Sequence, residues 1–146
     1  LNINDVDFRN GGLRIHRKGG KEVIVYFGAE VEYALQDYLS EREHIVPEEG
    51  SEEALFLSMQ RKRINVRSVE KMVKKYAQLV TPLKKITPHK LRSTYGTNLY
   101  RETGDIYLVA DVLGHSDVNT TKKHYAALED ERRRSARNKV QLREKE

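Results

Sequence analysis

The sequence contains no cysteine, which excludes a disulfide framework and a thiolate metal site and fits a reducing compartment. No apolar run approaches the length needed to cross a membrane, and the first residues lack the order of a secretory signal. Neither charge sign dominates: 27 Lys and Arg against 22 Asp and Glu give a formal net charge of +5. The excess is unevenly spread. Between Arg61 and Arg92 there are many cations and a single acid, Glu70, whereas Glu41 to Glu53 is acidic. A local basic face suits a polyanion, nucleic acid being the commonest, although a solvated lysine-rich helix has the same composition.

At 146 residues the chain is long enough for one domain with a hydrophobic core. It opens on "LNINDVDF", which reads as the middle of a domain, so a fragment is expected. Two β-rich runs, Leu13 to Arg17 and Glu22 to Phe27, flank Lys18-Gly19-Gly20-Lys21 and predict a hairpin. Val31, Ala34, Leu35, Tyr38 and Leu39 have helical spacing within Glu30 to His44. "VPEEGSEE" is a loop, and Ala54 to Ser58 reads as a short buried strand. Asn65 can cap a helix with the apolar stripe Val66, Val69, Val73, Tyr76 and Val80. Pro88 suits the first turn of a helix that reaches about Thr103 and ends at Gly104. Asp105 caps a short helix, Ile106 to Leu113, closed by Gly114, and Asp117 can cap another across Val118 to Tyr125. The expected fold is mainly α with a small antiparallel β-sheet (α+β). Its expected parts are residues 1–128, the body, and residues 129–146, a charged helical tail with Leu128, Val140 and Leu142 as scattered apolar anchors.

Several side chains carry chemical options. His89 and Arg92 share one helical face near an N-terminus, where unpaired N–H groups attract anions. An arginine there can fork onto two phosphate oxygens, and an arginine paired to a carboxylate fits the spacing too. His115 follows a helix-ending glycine and projects from a corner. Tyr125 suits either a buried anchor or a nucleophile. Phenols titrate near about 10, so a nucleophilic one requires cations around its target and a base. Lys18 stands at a hairpin tip, as a solvated lysine or as a proton donor on a flexible loop. His89, His115 and His124 lack the close pair spacing of metal-binding helices, so no metal is expected. Neither a phosphate-loop nor a dinucleotide pattern is present, and no serine has a nucleophile-elbow context.

Taken together, "TPHKLRSTYGTNLY", "VADVLGHSDVNTTKKHY" and the "RKGGKE" hairpin resemble the catalytic domain of tyrosine recombinases, the phage-integrase family. The resemblance runs from "INDVDF" to the tyrosine segment. It implies that Tyr125 is a nucleophile, His89 and Arg92 the H-x-x-R pair, His115 the second histidine, and Lys18 the catalytic lysine, with Lys21 the weaker alternative. The implied reaction is site-specific recombination or integration of DNA through a 3′-phosphotyrosine, in a phage or mobile element, with no cofactor. Lys21, Lys90, Thr120, Thr121, Lys122 and Lys123 are the candidate DNA-binding residues.

The resemblance further implies double-stranded DNA as partner, a tetramer of the full-length protein on that DNA, and a cytoplasmic, nucleoid-associated location in a bacterial host. It implies no membrane and leaves room for accessory DNA-bending proteins and for docking of the tail on a neighbouring protomer. The family's first arginine lies in a "TGLR" helix upstream of the segment where this chain starts, so the isolated chain is expected to cleave poorly. Arg14 in "GGLR" opens a hairpin strand and is a decoy. Lys90 replaces an acid common in the family. A type IB topoisomerase and a non-catalytic DNA-binding module are the alternative readings.

Overall fold

The chain begins with a three-stranded antiparallel sheet in the order β1 (Val6–Asp7), β2 (Gly12–His16), β3 (Glu22–Tyr26). The computed structural model describes residues 1–17, 19–115 and 118–140. Strands β2 and β3 pair from Gly12 opposite Tyr26 to His16 opposite Glu22. Gly19 and Gly20 adopt φ of 85° and 78°, values open to glycine because it has no Cβ. The Arg17 amide closes the turn on the Lys21 carbonyl at 2.7 Å. Leu13, Ile15, Val23 and Val25 are half-buried, while Arg14, His16, Ile24 and Tyr26 alternate with them and are exposed, the period of a sheet with one covered face.

Residues Leu1–Met72 and those from Val73 onward form two compact units. In the first, α1 (Ala29–Arg42) buries Leu35. At its end Arg42 is buried and donates to the Ala54 and Glu52 carbonyls at 3.0 and 2.9 Å. Hydrogen bonds from a charged donor are worth about 1.5–3 kcal/mol each, so this guanidinium anchors the loop over α1. Tyr38 adds a tilted ring contact with Phe56 at 5.3 Å and accepts from the Leu57 amide at 3.0 Å.

The expected strand Ala54 to Ser58 does not form. Ala54 bridges Asn2 and Leu57 bridges Arg63, each as an isolated pair, because the segment changes partner midway and no neighbour runs beside it long enough for a ladder. Its expected burial holds at Ala54 and Leu55, both with no exposed surface.

Helix α2 (Val66–Val80) starts where Asn65 accepts from the Ser68 amide at 2.8 Å. Its apolar stripe is periodic but only partly covered: Val69 and Val73 are half-buried, whereas Val66, Tyr76 and Val80 are 75%, 59% and 85% exposed.

In the second unit α3 (Pro88–Thr103) is capped by Thr87, whose side chain accepts from the Lys90 amide, and Gly104 ends it at φ 65°. Asp105 accepts from the Tyr107 and Leu108 amides, both at 3.1 Å, and starts α4 (Ile106–Leu113). After Gly114, α5 (Val118–His124) and α6 (Ala126–Ala136) follow. The expected Asp117 cap lies outside the described residues. The core here is Tyr100, Ile106, Val109, Leu113 and Tyr125, with Leu99, Val118 and Leu128 packed against it. Leu128, expected as a loose anchor, thus packs within its own unit, and the terminal helix starts at Ala126 rather than Glu129. Among the described residues no helix is long and apolar enough to cross a membrane.

Asp5 is a buried carboxylate of the first unit. Its carboxylate accepts from the Asn2 amide at 2.7 Å, and His16 and Arg14 lie 3.3 and 3.7 Å away. The Asn2 amide chiefly, then His16 and Arg14, holds the carboxyl below its ordinary 3.8 against the opposing effect of burial. A depressed folded value means that this stabilisation is present above 3.8 and is lost as pH falls through the folded value. Urea melts at stepped pH are expected to show that acid limb, and Asp5→Asn is expected to remove Asp5's share of it.

Candidate active site on helix α3

Helix α3 carries most of the candidate residues because of its spacing. Arg92, Gly96 and Tyr100 recur every four residues and so share one face, with His89 a turn before Arg92. His89 and Lys90 are exposed in the first turn.

Arg92 donates through Nη2 to the carbonyl of Leu113, the last residue of α4. That bond ties the guanidinium to the corner from which His115 emerges. The corner itself is built by Gly114, at φ 75°. The His115 amide reaches back to the Ala110 carbonyl at 2.9 Å, the long-range bond of a glycine-terminated helix. His115 Nδ1 lies 2.5 Å from the Thr121 hydroxyl. Ser116 and Asp117, between them, are outside the described residues.

Thr121 is fully buried. Expected to face phosphate, it instead holds the His115 ring from inside. Thr120 and Lys123 are exposed. Lys122 is half-buried, with Nζ 3.4 Å from the Tyr107 hydroxyl and 5.2 Å from its ring centroid. Lys21 belongs to the first unit, where it follows the hairpin turn and is exposed. Lys18 lies outside the described residues. Arg14 pairs with Asp5 and donates to the Asn4 carbonyl at 3.4 Å, contacts that occupy it within the sheet unit.

Tyr125 stands at the junction of α5 and α6 with φ −109° and ψ 19°. It is 4% exposed. Its ring stacks on Tyr100, with centroids 6.0 Å apart and planes at 20°, and meets His124 edge-on at 4.8 Å. Its hydroxyl lies against α3 at Gly96: a Cβ on that glycine would stand 2.3 Å from the oxygen. Gly96 precedes Tyr100 and follows Arg92 by four residues, about 6 Å of helix at about 1.5 Å per residue. The phenol therefore lies one turn from the arginine.

Tyr100 is the other buried phenol of this core. Burial first, then the Glu129 carboxylate, pushes its ionisation above the ordinary 10.0, against opposing pulls from Arg132 and Arg133. It stays neutral and serves as a ring to pack against. Among the described residues no group of three or more His, Asp or Glu side chains is placed to hold a metal ion.

Gly96, Tyr100 and Arg132 are the neighbours that sequence reading missed. One signal was there: a glycine inside a helix costs about 1 kcal/mol relative to alanine, and "STYGTNLY" retains one. Here that cost is offset by the close approach of Tyr125. Gly96→Ala gains about 1 kcal/mol of propensity but overpacks the site, at about 1–3 kcal/mol. The expected net result is a lower urea midpoint, and Tyr125→Phe on the same background should restore part of it by removing the crowded oxygen.

The chain matches the model of the phage integrase family over residues 1–132. It is similar to the tyrosine recombinase XerC of Thermodesulfovibrio yellowstonii, 35% identical over 125 residues that cover 84% of this chain and 42% of that protein. Among solved structures, the crystal structure of XerA recombinase aligns at TM-score 0.76 with 33% identity, over 84% of this chain and 44% of that one. The XerH site-specific recombinase, bound to palindromic difH substrate in a post-cleavage complex, also aligns at 0.76, with 27% identity over 93% of this chain and 38% of that one. The chain thus spans less than half the length of these relatives. With a family model covering nearly its whole length and a tyrosine-recombinase catalytic fold, the chain belongs to the phage integrase family.

Proposed function

We propose that this chain is the catalytic portion of a site-specific DNA recombinase that breaks and rejoins strands through Tyr125. The observation that carries the reading is the junction of α3, α4 and α5: Arg92 is fixed on the Leu113 carbonyl, His115 is held by Thr121, and the Tyr125 phenol lies one turn along α3 from Arg92.

In this reading the Tyr125 oxygen attacks a backbone phosphorus. A bond forms from that oxygen to phosphorus, and the bond from phosphorus to the 5′ oxygen breaks. The 3′ phosphate stays on the tyrosine, and the leaving 5′ hydroxyl gains a proton while the phenol loses one. Attack by a 5′ hydroxyl on the phosphotyrosine reverses the step, so bond energy is conserved and the reaction as written requires no cofactor.

Negative charge grows on the non-bridging oxygens, and donors already in place are the efficient way to stabilise it. Arg92 supplies a forked donor. With the Thr121 hydroxyl donating to Nδ1 of His115, Nε2 carries the ring proton and is the donor toward phosphate. Thr121, fully buried, therefore orients the histidine ring rather than touching DNA. His89 assists proton transfer at the phenol. The role of Lys18 as the donor to the leaving oxygen rests on family resemblance alone.

Double-stranded DNA is the proposed partner, supported by the XerH complex with its difH substrate and by the cation-rich stretch from Arg61 to Arg92. Lys21, Lys90, Thr120, Lys122 and Lys123 are proposed as backbone contacts, which position without reading sequence. Assembly as a tetramer on DNA, action in a bacterial cytoplasm at the nucleoid, and origin in a phage or mobile element are carried by the family. The recombinase names of the relatives favour this function over a type IB topoisomerase.

A protein of the relatives' full length that contains this chain is expected to form a covalent adduct with a library of nicked suicide duplexes, scored by gel shift after denaturation. Tyr125→Phe should abolish it, and His115→Ala should slow it by on the order of a hundredfold or more, as for loss of one preorganised donor. An adduct that persists in Tyr125→Phe, or none in the wild type, rejects Tyr125 as nucleophile. The 146-residue chain alone is expected to bind duplex weakly, with affinity falling steeply as salt rises.

A further inference from the structure

Beyond the packing of Leu128 on the core, the α6 helix reaches back to the end of α3 through Arg132. Arg132 donates from Nη1 to the Arg101 carbonyl at 2.7 Å and lies 3.4 Å from the Tyr100 carbonyl, at the C-terminal end of α3. A cation at that end also meets the negative pole of the helix. The same guanidinium sits over the Tyr100 ring, 5.8 Å from its centroid. Tyr100 in turn stacks on Tyr125 at 6.0 Å.

Two glycines make room for this arrangement. A Cβ at Gly104 would lie 2.1–2.4 Å from the Arg132 guanidinium, as one at Gly96 would lie 2.3 Å from the Tyr125 oxygen. The stack of guanidinium, Tyr100 and Tyr125 is thus seated between Gly96 on α3 and Gly104 at its C-cap, where an added Cβ would displace the phenol or the guanidinium.

We propose that Arg132 and Tyr100 are positioning residues for Tyr125: the guanidinium pins the Tyr100 ring, and that ring is the backstop that keeps the Tyr125 phenol along α3, facing the turn that bears Arg92. Tyr125 is flanked on both sides by helix, α5 before it and α6 after it. A contact on α6 therefore bears on the nucleophile's backbone as well as on its ring. The inference rests on the reading of Tyr125 as nucleophile, but its structural half is measurable without DNA.

The test uses a variant that opens the contact and keeps both residues. Gly104→Asn tolerates the left-handed backbone that ends α3 while its Cβ displaces the mobile tip of Arg132. Nitration of Tyr125 by tetranitromethane, read by peptide mass spectrometry on the 146-residue chain, is expected to be slow in the wild type and several-fold faster in Gly104→Asn and Tyr100→Leu. Tyr100→Phe, which keeps the ring, should behave as wild type, and Arg132→Lys should fall between. Unchanged nitration in both Gly104→Asn and Tyr100→Leu would overturn the proposal.

In the full-length context, Gly104→Asn should slow adduct formation at saturating nicked duplex by on the order of ten- to a hundredfold, the scale of a reacting group misplaced by about 1 Å. Duplex affinity should stay unchanged. An unchanged or faster adduct rate, or a matching loss of affinity, also counts against a positioning role. Absence of any wild-type adduct would instead reject the nucleophile reading, with nitration still deciding whether the stack holds the phenol.

Discussion

The packing of the second unit turns on one close approach, that of the Tyr125 hydroxyl to the backbone of α3 at Gly96. Because no side chain stands there, the ring can lie along the helix, stack on Tyr100 and complete the core with Ile106, Val109 and Leu113. That core draws α3, α4 and the junction of α5 and α6 together. The same convergence brings the end of α4 within reach of Arg92 and sets Thr121 behind His115. Core and candidate site are therefore one construction, and a residue such as Thr121, buried and polar, belongs to both.

This coupling has a chemical logic. A phenol used as a nucleophile gains from a fixed position more than from exposure, since a reacting group already in place spares the entropy of finding its target. Burial of Tyr125 at a helix junction gives such fixity through packing. Arg92 and His115 are held by a carbonyl and a hydroxyl, so each already has one partner fixing its orientation before any phosphate arrives. Preorganisation of this kind is what electrostatic stabilisation of a phosphoryl transition state requires.

Legibility followed the range of the interactions. Turn and cap chemistry is local, so Asn65, Gly104, Asp105 and Gly114 were readable as punctuation, as was the glycine pair of the hairpin. The segment Ala54 to Ser58 is only half legible, because a short apolar run shows its burial but not its partners, and two partners on different parts of the chain take the place of one ladder. Thr121 is indistinguishable in sequence from its neighbours, because a helix of seven residues shows its inward face only once something packs on it. The stripe of α2 was correctly periodic, yet period alone does not supply a covering surface, and Val66 and Val80 stay exposed.

By itself the sequence determined which side chains were candidates: an H-x-x-R pair at a helix start, a histidine after a helix-ending glycine, and a tyrosine ten residues later. Those are matters of residue type and spacing, which covalent order sets. Only the tertiary structure decided that the tyrosine rests on Gly96 and Tyr100, that Thr121 faces inward to His115, and that Arg132 closes over the far end of α3. These contacts join residues on different helices, and their distances depend on how the helices pack, a quantity that no local pattern along the chain encodes.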